Sequence, residues 1–171
     1  MPCALPANVG NADIKGLEAE IEAHPIRGLT LDASASTLRF KYTSFSANTG
    51  INVGDTAPGT IKHKFSVGAQ WDFPLASGAV LTPRFDFAYQ GGFETNADPT
   101  AGSRVTGRHL GNARVTWKSA GESWQVSLVG TNLFDKYYYN SVFDLTSLGG
   151  GSNYGFVAPP REYSVQVQKK F

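Results

Sequence analysis

Three histidines, one cysteine and scattered carboxylates are the side chains here with the most chemical capacity. His24, His63 and His109 lie far apart, and no pair has the short spacing of two ligands on one metal. Cys3 is alone, so it closes no internal disulfide and completes no Cys/His set. Nucleophilic or acid–base hydrolysis needs a nucleophile or a carboxyl pair beside a base. The sequence assembles no such group, and the histidines read as surface residues at strand ends and turns. The Gly149-Gly150-Gly151 run is not followed by Lys and Ser/Thr and has no strand-to-helix setting, so it is no phosphate loop. No catalytic, cofactor or metal residue is therefore assigned.

The remaining polar residues suggest a wall rather than an active site. Glu18, Glu20 and Glu22 alternate with apolar residues and put an acidic row on one strand face. Arg84, Asp86 and Arg114 could pair across neighbouring strands, for about 0–1 kcal/mol if exposed. Tyr137, Tyr138 and Tyr139 could stack on an aromatic or sugar ligand, or anchor the chain at a membrane interface. Asn132 and Asp135 are disfavoured in strands, and read as a turn or bulge held by their own side chains.

These residues sit on elements with a period of two. The closing stretch sets Tyr163, Val165, Val167 and Phe171 on one parity, against Glu162, Ser164, Gln166, Gln168 and Lys170 on the other. The same alternation predicts strands over Ile14–Ala23, Leu29–Phe45, about 64–73, Ala79–Gln90, from Arg108 to Trp117, and from Trp124 to Tyr139. In the second, the apolar parity changes to Leu38, Phe40 and Tyr42, which predicts a bulge near Thr37. Pro83 cannot donate a ladder hydrogen bond, so an irregularity is expected there. Turns at Pro25–Gly28, Pro74–Gly78 and Lys118–Ser123 are short. The connections Ser46–Thr60, Gly91–Ser103 and Asn140–Pro160 read as long loops.

The chain has 171 residues and a formal net charge of +1, which gives no electrostatic case for nucleic acid. No apolar run approaches the roughly 20 residues of a membrane helix, but a barrel strand needs only about 9–11 alternating ones. The alternation of short turns and long loops fits an outer-membrane barrel, with the terminus on the periplasmic side. Trp71, Trp117 and Trp124 then form a girdle beside the short turns. Tyr42, Phe45, Tyr89 and Tyr137–Tyr139 form another toward the loops. Residues 1–10 show no charged segment followed by an apolar core, so no signal peptide is read there.

Three motifs carry a resemblance. Asn11-Ala12-Asp13-Ile14-Lys15-Gly16-Leu17-Glu18 resembles a recurrent barrel segment of TonB-dependent receptors. Thr131-Asn132-Leu133-Phe134-Asp135-Lys136-Tyr137-Tyr138 is similar to that family's penultimate-strand motif. Pro160-Arg161-Glu162-Tyr163, running to Phe171, looks like its closing strand. The resemblance implies an all-β antiparallel meander of about seven transmembrane strands, a fragment of a barrel of about 22 strands with a plugged lumen. Residues 1–171 would be the C-terminal portion of that barrel, with the plug domain absent. It further implies TonB-energised uptake of a scarce ligand across the outer membrane of a Gram-negative bacterium. Ligands of the family include iron-siderophore chelates, cobalamin and oligosaccharides, and the loops choose none of them. The implied partners are outer-membrane lipid, the plug and remaining strands, the TonB complex and the barrel assembly machinery. That machinery would read Tyr163, Val165, Val167 and Phe171. The family motif itself rests on Asn132, Leu133, Phe134, Asp135, Tyr138, Pro160 and Arg161. The other reading is a small free-standing outer-membrane barrel with a structural or adhesive role, a size possible at about eight strands.

Overall fold

The computed structural model describes residues 10–45, 52–96, 102–146 and 151–171. Seven strands form one antiparallel meander, each beside its neighbour in sequence. They are β1 Gly10–Ala23, β2 Leu29–Phe45, β3 His63–Trp71, β4 Val80–Gln90, β5 Arg108–Lys118, β6 Trp124–Thr131 and β7 Glu162–Lys169. The two-residue piece Phe73–Pro74 also pairs with β4. Next-neighbour pairing needs only hairpin connections, which antiparallel strands permit.

Below the loop end of β1 and β2, register keeps each face largely of one kind. Ala35, Phe65, Tyr89 and His109 are successive partners across β2 to β5, as are Leu31, Ala69, Phe85 and Ala113. Leu128 faces both Val115 and Val165, and Val126 faces both Trp117 and Val167. The other face carries Glu18, Glu20, Glu22, Asp32, Ser66, Arg84, Asp86, Arg114, Thr116, Ser127 and Gln166. A one-residue slip would exchange the two sets, so this pattern fixes the pairing.

Almost nothing covers the apolar face. Among the described residues the buried apolar ones are Ala79, Val105 and Ala158. Leu17, Ile21, Leu128, Tyr163, Val165 and Val167 are all more than half exposed. An apolar sheet face this extensive requires a partner or lipid.

The structure corrects three expectations. No bulge occurs at Thr37, because the β1–β2 register runs unbroken from Ala12–Tyr42 to Ala23–Leu31. The irregularity comes later, where Asn11 pairs Ser44 and Ala12 pairs Tyr42, leaving Thr43 extra. Leu38, Phe40 and Tyr42 therefore lie on the face of Glu18 and Ser34, and Arg39 and Lys41 on the face of Leu31 and Ala33. Tyr42 thus does not join an outward girdle; its ring meets Phe40 edge-on at 4.8 Å. The side chain of Phe45 lies outside the described residues. Second, β6 stops at Thr131 rather than reaching Tyr139. Third, the expected long loops contain hairpins of their own: Phe93–Glu94 with Arg104–Val105, and Tyr139–Asp144 with Asn153–Val157. At Pro83 the β3 side of the ladder lapses between Gln70–Arg84 and Phe73–Leu81 without an offset. On the other side Pro83 pairs in register with Val115.

Candidate functional site

The polar face holds a recess of about 590 Å³, lined by Gln70, Asp72, Arg84, Asp86, Arg114 and Lys118 among others. Arg84 and Asp86 of that lining belong to an ion-pair cluster. Asp32, Gly68 and Asp86 form one row across β2, β3 and β4. Arg84 spans that row, with Nη1 2.9 Å from Asp32 Oδ1 and Nη2 2.6 Å from Asp86 Oδ1. Its Nε also donates to Asp86 Oδ2 at 3.1 Å. The crossing exists because residue 68 has no side chain: a Cβ there would stand 2.5 Å from Arg84 Nη2 and from Asp32 Oδ2. In the sequence the one signal for Asp32 as a partner is a glycine inside an otherwise regular strand. Arg114 lines the same recess. Thr116 and Ser127 share a buried hydroxyl hydrogen bond of 2.9 Å beside it.

At the loop end, the Asn132–Asp135 segment turns the chain back. Both residues take left-handed backbone, at φ 48 and φ 52, where Asn and Asp are the best tolerated side-chain-bearing residues. Asn132 is buried. Its amide donates to the Lys136 carbonyl at 3.0 Å and accepts from the Lys136 N–H at 2.9 Å. Its own N–H donates to Asn112 Oδ1 at 3.0 Å. Asp135 accepts from the Arg161 N–H at 3.2 Å and lies 3.5 Å from Arg161 Nη2, tying the turn to the start of β7. Pro160 precedes that contact, and the Pro159 carbonyl accepts weakly from the Asn132 amide at 3.4 Å. Leu133 donates its N–H to the Gly111 carbonyl at 2.8 Å. Phe134 covers Gly111, where a Cβ would lie 2.7 Å from its ring. It approaches Phe87 at 6.2 Å and His109 at 5.8 Å between ring centres.

The tyrosines that follow line an open cleft of about 420 Å³ together with Arg104, Thr106, Val142 and Tyr154. Arg108 stacks over Tyr138, with Cζ 4.5 Å from the ring centre, a favourable cation–π contact. The Tyr137 hydroxyl donates to Tyr139 Oη at 3.2 Å, which holds the Tyr137 phenol above its ordinary value. The structure therefore brings Tyr138 beside a guanidinium that the sequence gave no reason to place there. Gly149 and Gly150 lie outside the described residues, as does Cys3; Gly151 has φ 60.

The other sequence-selected residues lie apart from this cleft. Trp71, Trp117 and Trp124 are on the apolar face near the short turns, and Trp71 stacks on Phe73 at 5.2 Å. Tyr163 packs over Gly130, and Val165 and Val167 continue that face along β7. Phe171 is fully exposed, with Lys169 Nζ 4.6 Å from its ring centre and 5.1 Å from that of Trp124. His24 bonds Glu22 at 3.0 Å and Thr30 at 3.1 Å in the first turn. Among the described residues, no group of three or more His, Cys, Asp or Glu side chains is placed to hold a metal.

This outward-apolar, inward-polar meander defines an outer-membrane type of barrel wall. The family model for the TonB dependent receptor-like β-barrel matches residues 2–133, and the chain belongs to that family. No curated protein sequence matches it. Among solved structures, it is similar to the ferric yersiniabactin uptake receptor FyuA from Yersinia pestis, at 20% identity and a TM-score of 0.81 over 96% of this chain and 24% of that one. It is also similar to BauA, the ferric preacinetobactin receptor from Acinetobacter baumannii, at 23% identity and 0.70, over 91% and 22%. The ferric citrate transporter FecA gives 19% and 0.72, over 94% and 24%. The chain thus spans about a quarter of the length of these structures, and at such identities the likeness is one of fold.

Proposed function

We propose that residues 1–171 form the C-terminal part of a receptor barrel in the outer membrane of a Gram-negative bacterium. The receptor takes up a scarce ligand, such as an iron-siderophore complex, with energy delivered through TonB. The observation that carries this reading is the sorting of the two faces: an uncovered apolar side, and a polar side with an ion-paired wall. Family membership and the named uptake receptors of the same fold support it. On this reading the polar face borders a plug domain, and the loop-end cleft of Tyr137, Tyr138 and Tyr139, with Arg108 stacked on Tyr138, belongs to the ligand-facing surface. The protein performs no covalent chemistry; rings and guanidinium groups supply stacking and charge to an anionic or aromatic ligand.

The test is ligand-dependent growth and uptake under iron limitation. A strain lacking the gene should lose uptake of at least one ferric chelate supplied to it. A Tyr138→Ala, Arg108→Gln variant should assemble normally and bind that chelate more weakly. Unchanged uptake of every ferric chelate in the deletion strain would refute the iron reading.

A further inference from the structure

Carboxylates are sorted between the faces almost as strictly as hydropathy, whereas cations stand on both. Among the described residues of the seven strands, Glu18, Glu20, Glu22, Asp32, Asp86 and Glu162 all lie on the polar face. Asp13 is the one carboxylate on the other. Four cations share the outer face with it: Lys169 at the turn end of β7, over the Trp124 ring, and Lys15, Arg39 and Lys41 clustered on β1 and β2 toward the loops, all exposed. Lys15 is paired directly with Arg39, and Asp13 with Lys41. Like charges directly opposite across two strands are destabilising. Asp13 offsets little of this, since its carboxylate is 3.8 Å from Lys15 Nζ and both groups are exposed.

Their height is set by the strand. Leu29 is level with Trp71, the girdle residue at the turn end. From Leu29 to Arg39, β2 climbs about 26 Å along the membrane normal, at ~3.4 Å per residue and a tilt of ~40°. The outward apolar band of such barrels is ~25 Å tall. Below Thr37 the outer face is Leu31, Ala33 and Ala35; above it stand Arg39 and then Lys41. The cations therefore begin where hydrocarbon ends. That is also why the apolar parity reverses at Leu38: outside the bilayer the outer face meets headgroups and water.

We infer that Lys15, Arg39 and Lys41 form a binding site for the phosphate groups of an anionic lipid in the outer leaflet. A phosphate between Lys15 and Arg39 would remove their repulsion, and Lys41 would reach a second one further from the membrane. The inference rests on the membrane reading proposed above and adds a specific lipid contact on the loop side of the barrel.

The experiment uses the protein purified from outer membranes, stripped of lipid in detergent. Its affinity is measured for micelles carrying bisphosphorylated lipid A and for the same micelles carrying dephosphorylated lipid A. The wild type should prefer the phosphorylated form. A Lys15→Gln, Arg39→Gln, Lys41→Gln variant should lose on the order of a hundredfold in that preference at low salt, at about fivefold per cation. Lys15→Gln alone relieves the like-charge pair, so it should assemble at least as well and still lose about fivefold. Lys64→Gln, at similar height on the opposite face, should change nothing. Equal affinity of the wild type for both lipids would overturn the inference, as would a triple variant that keeps its preference. Displacement of the lipid by an equal concentration of inorganic phosphate would also overturn it, by reducing the site to one for free anions. If the protein instead fractionates away from the outer membrane and binds neither micelle, the membrane reading itself fails and this site falls with it.

Discussion

At the scale of single residues, two positions separate a costly contact from a cheap one. Asn132 is buried in a left-handed turn and satisfies its side chain twice against Lys136. Asn132→Ala loses the amide and strains the backbone, so it should destabilise the assembled protein by about 1–3 kcal/mol. Asn132→Gly keeps the backbone freedom and should recover part of that loss. The midpoint of heat-induced mobility change on gels ranks the variants; equal midpoints for Asn, Gly and Ala would show that the turn holds itself. Gly68→Ala should cost less, about 1 kcal/mol or below, although its Cβ would crowd Arg84 and Asp32. Both are flexible, part-exposed side chains that can separate toward water. A third residue gives a pH test. The Tyr137 phenol is raised by its hydrogen bond to Tyr139, so its neutral form is the one favoured, and that advantage is lost as pH rises through its titration. Tyr139→Phe should bring tyrosinate absorbance from Tyr137 in at lower pH. An unchanged titration would mean that the hydroxyl contact is not kept in solution.

At the scale of elements, the two faces of β6 make opposite predictions from adjacent residues. Val126 faces Trp117 and Val167 on the apolar side, while Gln125 lies on the other, lining the recess. Val126→Arg should cost about 2–4 kcal/mol if it lies near the bilayer midplane, and Gln125→Arg should be mild. Folding yield into lipid vesicles measures both, and equal yields would mean that the faces are assigned backwards. Strand alternation was legible because a period of two survives any particular neighbour, and the places where legibility failed have physical causes. The parity change at Leu38 predicts a bulge only if all of β2 presents its apolar residues to one side. The strand keeps its pleat and its register through that point. Aromatic residues favour strands, so Tyr137–Tyr139 look like a continuation of β6. A buried Asn in left-handed backbone overrides that propensity at 132. The short hairpins at Phe93–Glu94 and Tyr139–Asp144 carried no alternation long enough to count. The Arg84–Asp32 contact joins residues 52 positions apart, and only the register places them in reach.

At the scale of the whole molecule, the sheet is held by neighbours on every strand except at its margins. Among the described residues β1 pairs only with β2, and β7 only with β6, so each presents a row of backbone N–H and C=O groups on its far edge. In water such an edge is a template for association; in hydrocarbon each unsatisfied group costs several kcal/mol. β1 is the more exposed case, because its margin runs for 14 residues and both its faces are uncovered. The apolar face meanwhile cannot stay in water, with Leu17 and Tyr163 more than two-thirds exposed. These demands conflict for residues 1–171 alone: the face favours lipid and the edges forbid it. They are reconciled only when further strands pair with β1 and β7. Purified residues 1–171 added to lipid vesicles should therefore aggregate, or lie on the surface, rather than span. Protease added outside should cut them completely, and they should support no uptake of ferric chelate into cells. Deleting Phe171 bears on the same step from the other side. In a barrel whose edges are paired, its loss should lower the amount assembled, because the ring with Lys169 and Trp124 marks the turn-end interface of β7. Ligand affinity per assembled molecule should be unchanged, since the tyrosine cleft lies at the opposite end of the strands. Surface labelling alongside ligand titration separates the two quantities. Normal assembly with weakened affinity would place Phe171 at the ligand end and invert the direction of every strand.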